Sequence, residues 1–230
     1  MKIMTFNTQH CLNYLERKID FEIMAEAIKT CGADVVGLNE MYNGGEEDFV
    51  QQTEKVAKAA GYEYTYFAEA LVLVGKPYGN GLISKIPIVK AETIIIPDPV
   101  REEGRGYYET RCVLKAELEN GVTVFVTHFG LVDTEQTNAV KTVLENLKTE
   151  KCVFMGDLNV TPENELLNPI RERMKDCADA FEKPCFSFPS DKPERKIDYI
   201  FVSPDAKVLS ADIPAIVASD HRPHTAEIEF

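Results

Sequence analysis

Two short segments carry residues that can hold a metal ion and move a proton: Gly156-Asp157-Leu158-Asn159 and Ser219-Asp220-His221. Asp157 and Asn159 lie two positions apart at the end of an apolar run, so a strand there would aim both to one side. A carboxylate and an amide carbonyl are hard oxygen donors of the kind that Mg²⁺ or Mn²⁺ takes. The amide can also hydrogen-bond an attacking water. Gly, Asp and Asn are turn formers as well, so this segment alone reads equally as a turn. In the second segment, Asp220 and His221 could serve as metal ligand and proton donor. Alone, it reads as a polar loop before Pro223.

Other polar residues stand at the ends of apolar runs. Glu40 follows Val35-Val36-Gly37-Leu38-Asn39, where a carboxylate at a strand tip suits a metal ligand or, more plainly, a solvated loop acid. Asn7 ends the first run in the same way, and His128 ends Val124-Phe125-Val126-Thr127. Asp198 lies inside Ile197-Asp198-Tyr199-Ile200-Phe201-Val202. A carboxylate in so apolar a run needs a partner, because burying it unpaired is expensive. A histidine suits, since an Asp orients the imidazole and raises its basicity. His221 and His128 are both candidates.

The elements that must position these groups follow from periodicity. Strand patterns cover residues 2–6, 34–38, 62–68, 79–84, 88–96, 111–118, 122–127, 151–155, 197–202, 207–212 and 225–229. Asn120-Gly121 marks a hairpin turn. Helical patterns cover 20–31, with Asp20 as N-cap and Gly32 as stop, and 46–60, closed by Gly61. Further helical stretches are expected over 133–147, 162–168 and 175–181. No linker, low-complexity segment or repeat divides the chain. Strands and helices mixed in this way imply a layered α/β or α+β fold in a single domain over residues 1–230.

Bulk properties narrow the partners. The chain has 230 residues, enough to bury a substantial core. No stretch approaches a membrane span, and the N-terminus turns polar too soon for a secretory signal, so a cytoplasmic protein is expected. The six cysteines form no Cys-x-x-Cys pair, which argues against a thiolate zinc site. Cys31, Cys112 and Cys152 sit in apolar stretches as expected of buried free thiols. The net charge of −13, with no basic run, weighs against long duplex nucleic acid. It permits a small phosphorylated molecule, because a bound divalent ion dominates its local field.

Taken in order, the segments resemble the endonuclease/exonuclease/phosphatase superfamily of DNase I-like enzymes across nearly the whole chain. Thr5-Phe6-Asn7 is similar to the family's opening Asn motif, Asp34 to Glu40 to its D-V-V-x-L-Q-E strand, and Gly79-Asn80-Gly81-Leu82-Ile83-Ser84 to its G-N-x-I-L-S strand. Arg111, Thr127-His128, Gly156-Asp157-Leu158-Asn159, Phe186-Ser187-Phe188-Pro189, Ile197-Asp198-Tyr199-Ile200 and Ser219-Asp220-His221 continue the series. Asn39 stands where the family has Gln, and Phe129 where Leu is common; no motif carboxylate or histidine is missing.

The resemblance implies an α/β fold, a four-layer α/β/β/α sandwich, and a divalent-metal-dependent phosphoester hydrolase using Mg²⁺ or Mn²⁺. It implies that Glu40 is the principal metal ligand with Asn7 beside it, and that Asp157 and Asn159 position water and help hold the ion. Asp220 would complete the metal environment. His221, paired with Asp198, would contact the scissile phosphate, and His128 would bind phosphate or protonate the leaving oxygen. Asn80 and Arg111 would bind substrate or support the site.

A small phosphorylated substrate, cleaved as a monoester or diester, fits the acidic charge better than nucleic acid. The first alternative is a DNA or RNA nuclease, with Arg101, Arg105, Tyr107, Tyr108, Arg195 and Lys196 lining a single-strand groove. The second is a non-catalytic phosphate-binding module. Nothing in the sequence points to an oligomeric state.

Overall fold

Strands that are apolar at every position need cover on both faces. The computed structural model, which describes residues 1–100 and 108–230, meets that need by stacking two sheets and covering each outer face with helices. Arg101, Arg105 and Tyr107, considered above for a nucleic-acid groove, lie outside the described residues.

In chain order the strands are β1 (Lys2–Asn7), β2 (Val35–Tyr42), β3 (Tyr64–Leu73), β4 (Lys76–Ser84), β5 (Ile88–Ile95), β6 (Cys112–Leu118), β7 (Thr123–His128), β8 (Cys152–Asp157), β9 (Lys175–Asp176), β10 (Asp198–Val202), β11 (Lys207–Asp212) and β12 (His224–Glu229). The first sheet runs β11-β12-β1-β2-β4-β3 and the second β5-β6-β7-β8-β10-β9. Helices α1 (Phe21–Cys31) and α2 (Gln52–Ala60) lie on the first sheet, and α3 (Asp133–Asn146) and α4 (Asn168–Arg171) on the second. This is the four-layer α/β/β/α sandwich expected above.

Strand parity decides which side chains meet. Ile3, Val35, Leu82, Val124, Val126, Val153, Met155, Ile200 and Val202 point between the sheets and form the central core. Met4, Phe6, Val36 and Leu38, one position out of phase, face α1 and α2. Phe125, Phe154, Tyr199 and Phe201 face α3 and α4. Burying such side chains contributes roughly 1.5–3 kcal/mol each, so a one-residue slip in any central strand would invert a whole layer. Asn7, His128, Asp157 and Asp198 share parity with the central core. They are therefore committed to the space between the sheets.

Local signals act as read. The Asp20 carboxylate accepts from Glu22 N and Ile23 N at 3.1 Å each, and Gly32 ends α1 at φ 65°. Three expected elements differ. The helix over 46–60 divides into a 3-10 turn, Glu47–Phe49, and α2; Gln51 breaks it at φ 50°. The stretch 162–168 is a 3-10 turn, Glu165–Leu167, leading into α4. The helical turn expected over 175–181 begins as β9 and continues as a 3-10 turn, Cys177–Ala180. In the first case a tertiary contact competes: the buried Gln52 side chain bonds the backbone of Tyr42, Asp48 and His10. The strands β3 and β4 also extend beyond their expected limits into a hairpin through Val74 and Gly75, both at positive φ.

All six cysteines are unpaired, and five are buried. No helix among the described residues is long and apolar enough to cross a membrane.

Gly156 leaves no room for a side chain against the paired strand. Its φ is 150°, and a Cβ there would sit 1.8 Å from Thr127 O on the paired strand. Gly156→Ala is expected to destabilise by about 3 kcal/mol or more. The melting temperature would then fall by roughly 6–12 °C. Thermal unfolding followed by circular dichroism checks this, and an unchanged melting temperature contradicts it.

Candidate active site

Three neighbouring strands carry one row of chemistry. His128 on β7 is in register with Asp157 on β8, and Asp157 with Asp198 on β10. Side chains of directly opposed residues share a face, so the row enters the inter-sheet space at one end of the sandwich. The first sheet supplies a second row, Asn7 opposite Asn39, on β1 and β2.

The two rows interlock. The Asn7 amide donates to Glu40 Oε1 at 2.9 Å and to Asp157 Oδ2 at 3.0 Å. Asn39 Oδ1 accepts from Asp157 N at 3.0 Å, while Asn39 Nδ2 donates to Thr127 O at 2.9 Å and Asn80 Oδ1 at 2.8 Å. Glu40 joins the group through a bulge. The β2–β4 register shifts between Leu38 and Met41, and Glu40 takes φ 62°. Without that extra residue its parity would face α1 and α2; the bulge re-aims it.

His221 is the partner of Asp198, with Nδ1 and Oδ2 at 2.8 Å. Its Nε2 faces Asp157 Oδ2 at 3.6 Å. Ser187 Oγ accepts from Ile197 N and Asp198 N, and the Phe188 ring packs 4.8 Å from the imidazole. The loop bearing Phe186-Ser187-Phe188-Pro189 thus buttresses the Asp198–His221 pair. On the other side, Arg111 bridges Glu109 Oε1 at 2.8 Å and His128 Nδ1 at 3.0 Å. Asn159 Nδ2 lies 3.0 Å from both His128 Nε2 and Phe129 O.

The charges are unbalanced in two ways. Burial pushes the Glu40 carboxyl up, and the charge of Asp220 adds to the effect. Burial also raises Asp157; His221 pulls it back and Asp198 pushes it further. Buried carboxylates held this close call for a cation. Asp157, Asp198 and His221 offer ligand atoms all within 4.8 Å of one another. Around His128 the surplus is of donors. Arg111 and the Asn159 amide approach opposite ring nitrogens, yet a neutral imidazole accepts at only one. Burial first, then the Arg111 and His221 charges, hold His128 well below its ordinary value, so it is neutral. Asp157 Oδ2, 3.5 Å from Nε2, is the carboxylate acceptor nearest this ring.

The expected residues do not all converge equally. Glu40, Arg111, His128, Asp157, Asn159 and His221 line one cleft. Asn80, expected to bind substrate or support the site, is 3 % exposed and bonds Asn39 and Cys112 O, so it braces the site from below. Asp220 stands at the margin, with Ser219 Oγ donating to it at 2.9 Å. The strand spacing that linked Asp157 to Asn159 is not what brings them together. β8 ends at Asp157, and Asn159 turns back at φ 53° with its N–H on Asp157 Oδ1. Asn39 was recognised only as a substitute for Gln; its place between the sheets depends on contacts across the sandwich.

The model of the "Endonuclease/Exonuclease/phosphatase family" matches residues 4–221. No curated protein sequence matches the chain. Among solved structures, an endonuclease/exonuclease/phosphatase from Beutenbergia cavernae is similar at 21 % identity and TM-score 0.81, covering 100 % of this chain and 71 % of that one. A Bacteroides thetaiotaomicron mannosyl-6-phosphatase is similar at 15 % identity and TM-score 0.77, covering 100 % of both chains. The human Nocturnin catalytic domain, solved with a bound sulfate anion, is similar at 16 % identity and TM-score 0.72, covering 100 % of this chain and 93 % of that one.

The Asp198–His221 pair generates a pH prediction. Burial opposes the charged imidazole, but Asp198 and Asp157 outweigh it and raise His221 above its ordinary 6.5. The folded protein therefore holds this proton more tightly than the unfolded chain does. Its stabilising contribution is complete below 6.5 and is lost as pH rises through the raised value. In metal-free protein, the stability gap between wild type and His221→Gln should narrow as pH rises from 6.5 to about 10 and level off beyond it. Denaturant melts at several pH values test this; a gap that widens with pH contradicts it.

Proposed function

The chain belongs to the endonuclease/exonuclease/phosphatase family, and from that premise we propose that it is a divalent-metal-dependent hydrolase acting on a small phosphorylated substrate. One observation carries this reading. The carboxylates of Glu40, Asp157 and Asp198 outnumber the single imidazolium of His221 that faces them, beside a second histidine approached by donors at both ring nitrogens. A cation and a phosphoryl group would relieve both at once.

Glu40, Asp157 and Asp220 would hold Mg²⁺ or Mn²⁺, with the amides of Asn7 and Asn159 as further oxygen donors; all are hard ligands. Bound there, the ion would neutralise phosphoryl charge and stabilise the transition state. Asp157 would orient the attacking water and take up its proton. His221, kept protonated by Asp198, would donate to a non-bridging phosphoryl oxygen. Arg111 and Asn159 would bind phosphoryl oxygens, and His128 would hydrogen-bond the phosphoryl or leaving oxygen.

The net charge of −13 favours a small substrate over nucleic acid. The mannosyl-6-phosphatase is a fold neighbour whose name denotes a small substrate. Six unpaired cysteines suit a reducing compartment such as the cytoplasm.

Purified protein should hydrolyse p-nitrophenyl phosphate or its bis ester with added Mg²⁺ or Mn²⁺ and lose that activity in EDTA. Asp157→Ala and His221→Ala should each lower kcat by roughly 10²–10⁴ while the far-UV spectrum is retained. Near-normal turnover in either variant, EDTA-resistant turnover, or preference for a single-stranded oligonucleotide would overturn the proposal.

A further inference from the structure

We propose that the cleft beside the catalytic row is the subsite for the alcohol half of the substrate, that it accepts one uncharged polyhydroxylated group such as a sugar ring, and that His10 is its specificity-determining residue. This rests on the hydrolase reading above and adds the chemistry of what is released.

The cleft has a volume of about 340 Å³. That is near the lower end of small-ligand sites, roughly 300–1,000 Å³. Beyond the catalytic groups its walls are His10, Tyr42, Leu73, Tyr78, Glu109 and Leu131. Part of the space belongs to the phosphoryl group, and the remainder has room for one ring.

The wall chemistry selects further. The Tyr42 and Tyr78 rings lie 4.9 Å apart, and the His10 ring meets Tyr42 edge-on at 5.9 Å. Tyr78 is buried, and the half-buried Tyr42 and His10 rings offer the apolar surface for the C–H side of a sugar ring. Glu109 supplies a hydroxyl acceptor. Its charge also repels a second phosphate, and Arg111, paired with Glu109 and His128, is the cation assigned to the first. A nucleoside di- or triphosphate is therefore disfavoured, and a singly phosphorylated, otherwise neutral molecule is favoured.

His10 is a built feature of this wall. Gln9, His10 and Cys11 occupy left-handed backbone in succession, at φ 47°, 49° and 64°. Three consecutive non-glycine residues there are costly and persist only when surroundings impose them. The buried Gln52 side chain does so. Its Nε2 donates to His10 O at 2.9 Å and Asp48 O at 2.8 Å, and its Oε1 accepts from Tyr42 N at 2.9 Å. The His10 ring itself is only half-buried and packs beside Tyr42 and Phe49, at ring-centroid distances of 5.9 and 6.4 Å. The turn thus sets Cys11 in the core and the His10 ring on the cleft wall. Burial holds this imidazole below its ordinary value, against the pull of Asp220. A neutral imidazole both donates and accepts, as a hydroxyl partner must.

Steady-state kinetics on wild type, His10→Ala and His10→Gln test the proposal with Mg²⁺ and four probes: glucose 6-phosphate, p-nitrophenyl phosphate, adenosine monophosphate and choline phosphate. Wild type should favour the sugar phosphate in kcat/KM over the nucleotide and choline phosphate. His10→Ala should raise KM for the sugar phosphate roughly tenfold with a smaller change in kcat, and should lower its advantage over p-nitrophenyl phosphate by a similar factor. His10→Gln, which keeps a donor and an acceptor, should recover part of the loss.

Equal losses on the sugar phosphate and p-nitrophenyl phosphate would overturn the specificity role. Wild-type preference for the nucleotide or choline phosphate would overturn the substrate class while leaving the hydrolase reading intact. Absence of turnover on all four with bis-p-nitrophenyl phosphate still cleaved would overturn the substrate class alone, and absence of turnover on the bis ester as well would overturn both.

Discussion

A buried carboxylate shared between two sheets is the constraint on which the rest of this structure depends. Asp157 belongs to the second sheet, yet its backbone N–H and one side-chain oxygen are held by Asn39 and Asn7 of the first. A polar group at that depth must be satisfied, or it would cost several kcal/mol. The inter-sheet spacing, the registers of β1 with β2 and of β7 with β8, and the absence of a Cβ at Gly156 all serve to bring those partners together. Polar complementarity at one end of the sandwich thus continues the apolar complementarity of its centre.

The remainder of the site is built around that junction. His128 and Asp198 flank Asp157 on the neighbouring strands, so strand pairing alone sets their spacing. Loops then add what strands cannot. The turn after β8 folds Asn159 back onto His128, and the segment before β12 delivers His221 onto Asp198. Rigid elements hold the buried charges where small errors are expensive, and loops supply the groups that meet solvent and ligand. The bulge at Glu40 and the left-handed turn at His10 are two irregularities in this plan. Both place a side chain at the cleft that regular geometry would have aimed elsewhere.

The surplus of negative charge and the surplus of donors lie side by side in one cleft. Neither is a packing requirement: the three apolar clusters close without them. Natural sequences depart from local consistency where function needs it. Here the departures are polar residues on core-facing parity and residues at positive φ, concentrated at one end of the sheets.

Much of this was legible in the chain itself. Apolar runs ending in Asn7, Glu40, His128 and Asp157 reveal the strands and which groups stand at their tips, because burial on both faces demands continuous hydrophobicity. Asp198 inside such a run announces its need for a partner. What the sequence could not decide is which partners meet. The choice of His221 over His128 for Asp198, the bracing role of Asn39 and Asn80, and the break at Gln51 depend on contacts between residues distant in sequence. Local periodicity carries no information about these, since they arise only when two separately formed sheets stack. Residue type and parity therefore determine the chemistry available at the end of each strand, and tertiary packing decides which of those groups face one another.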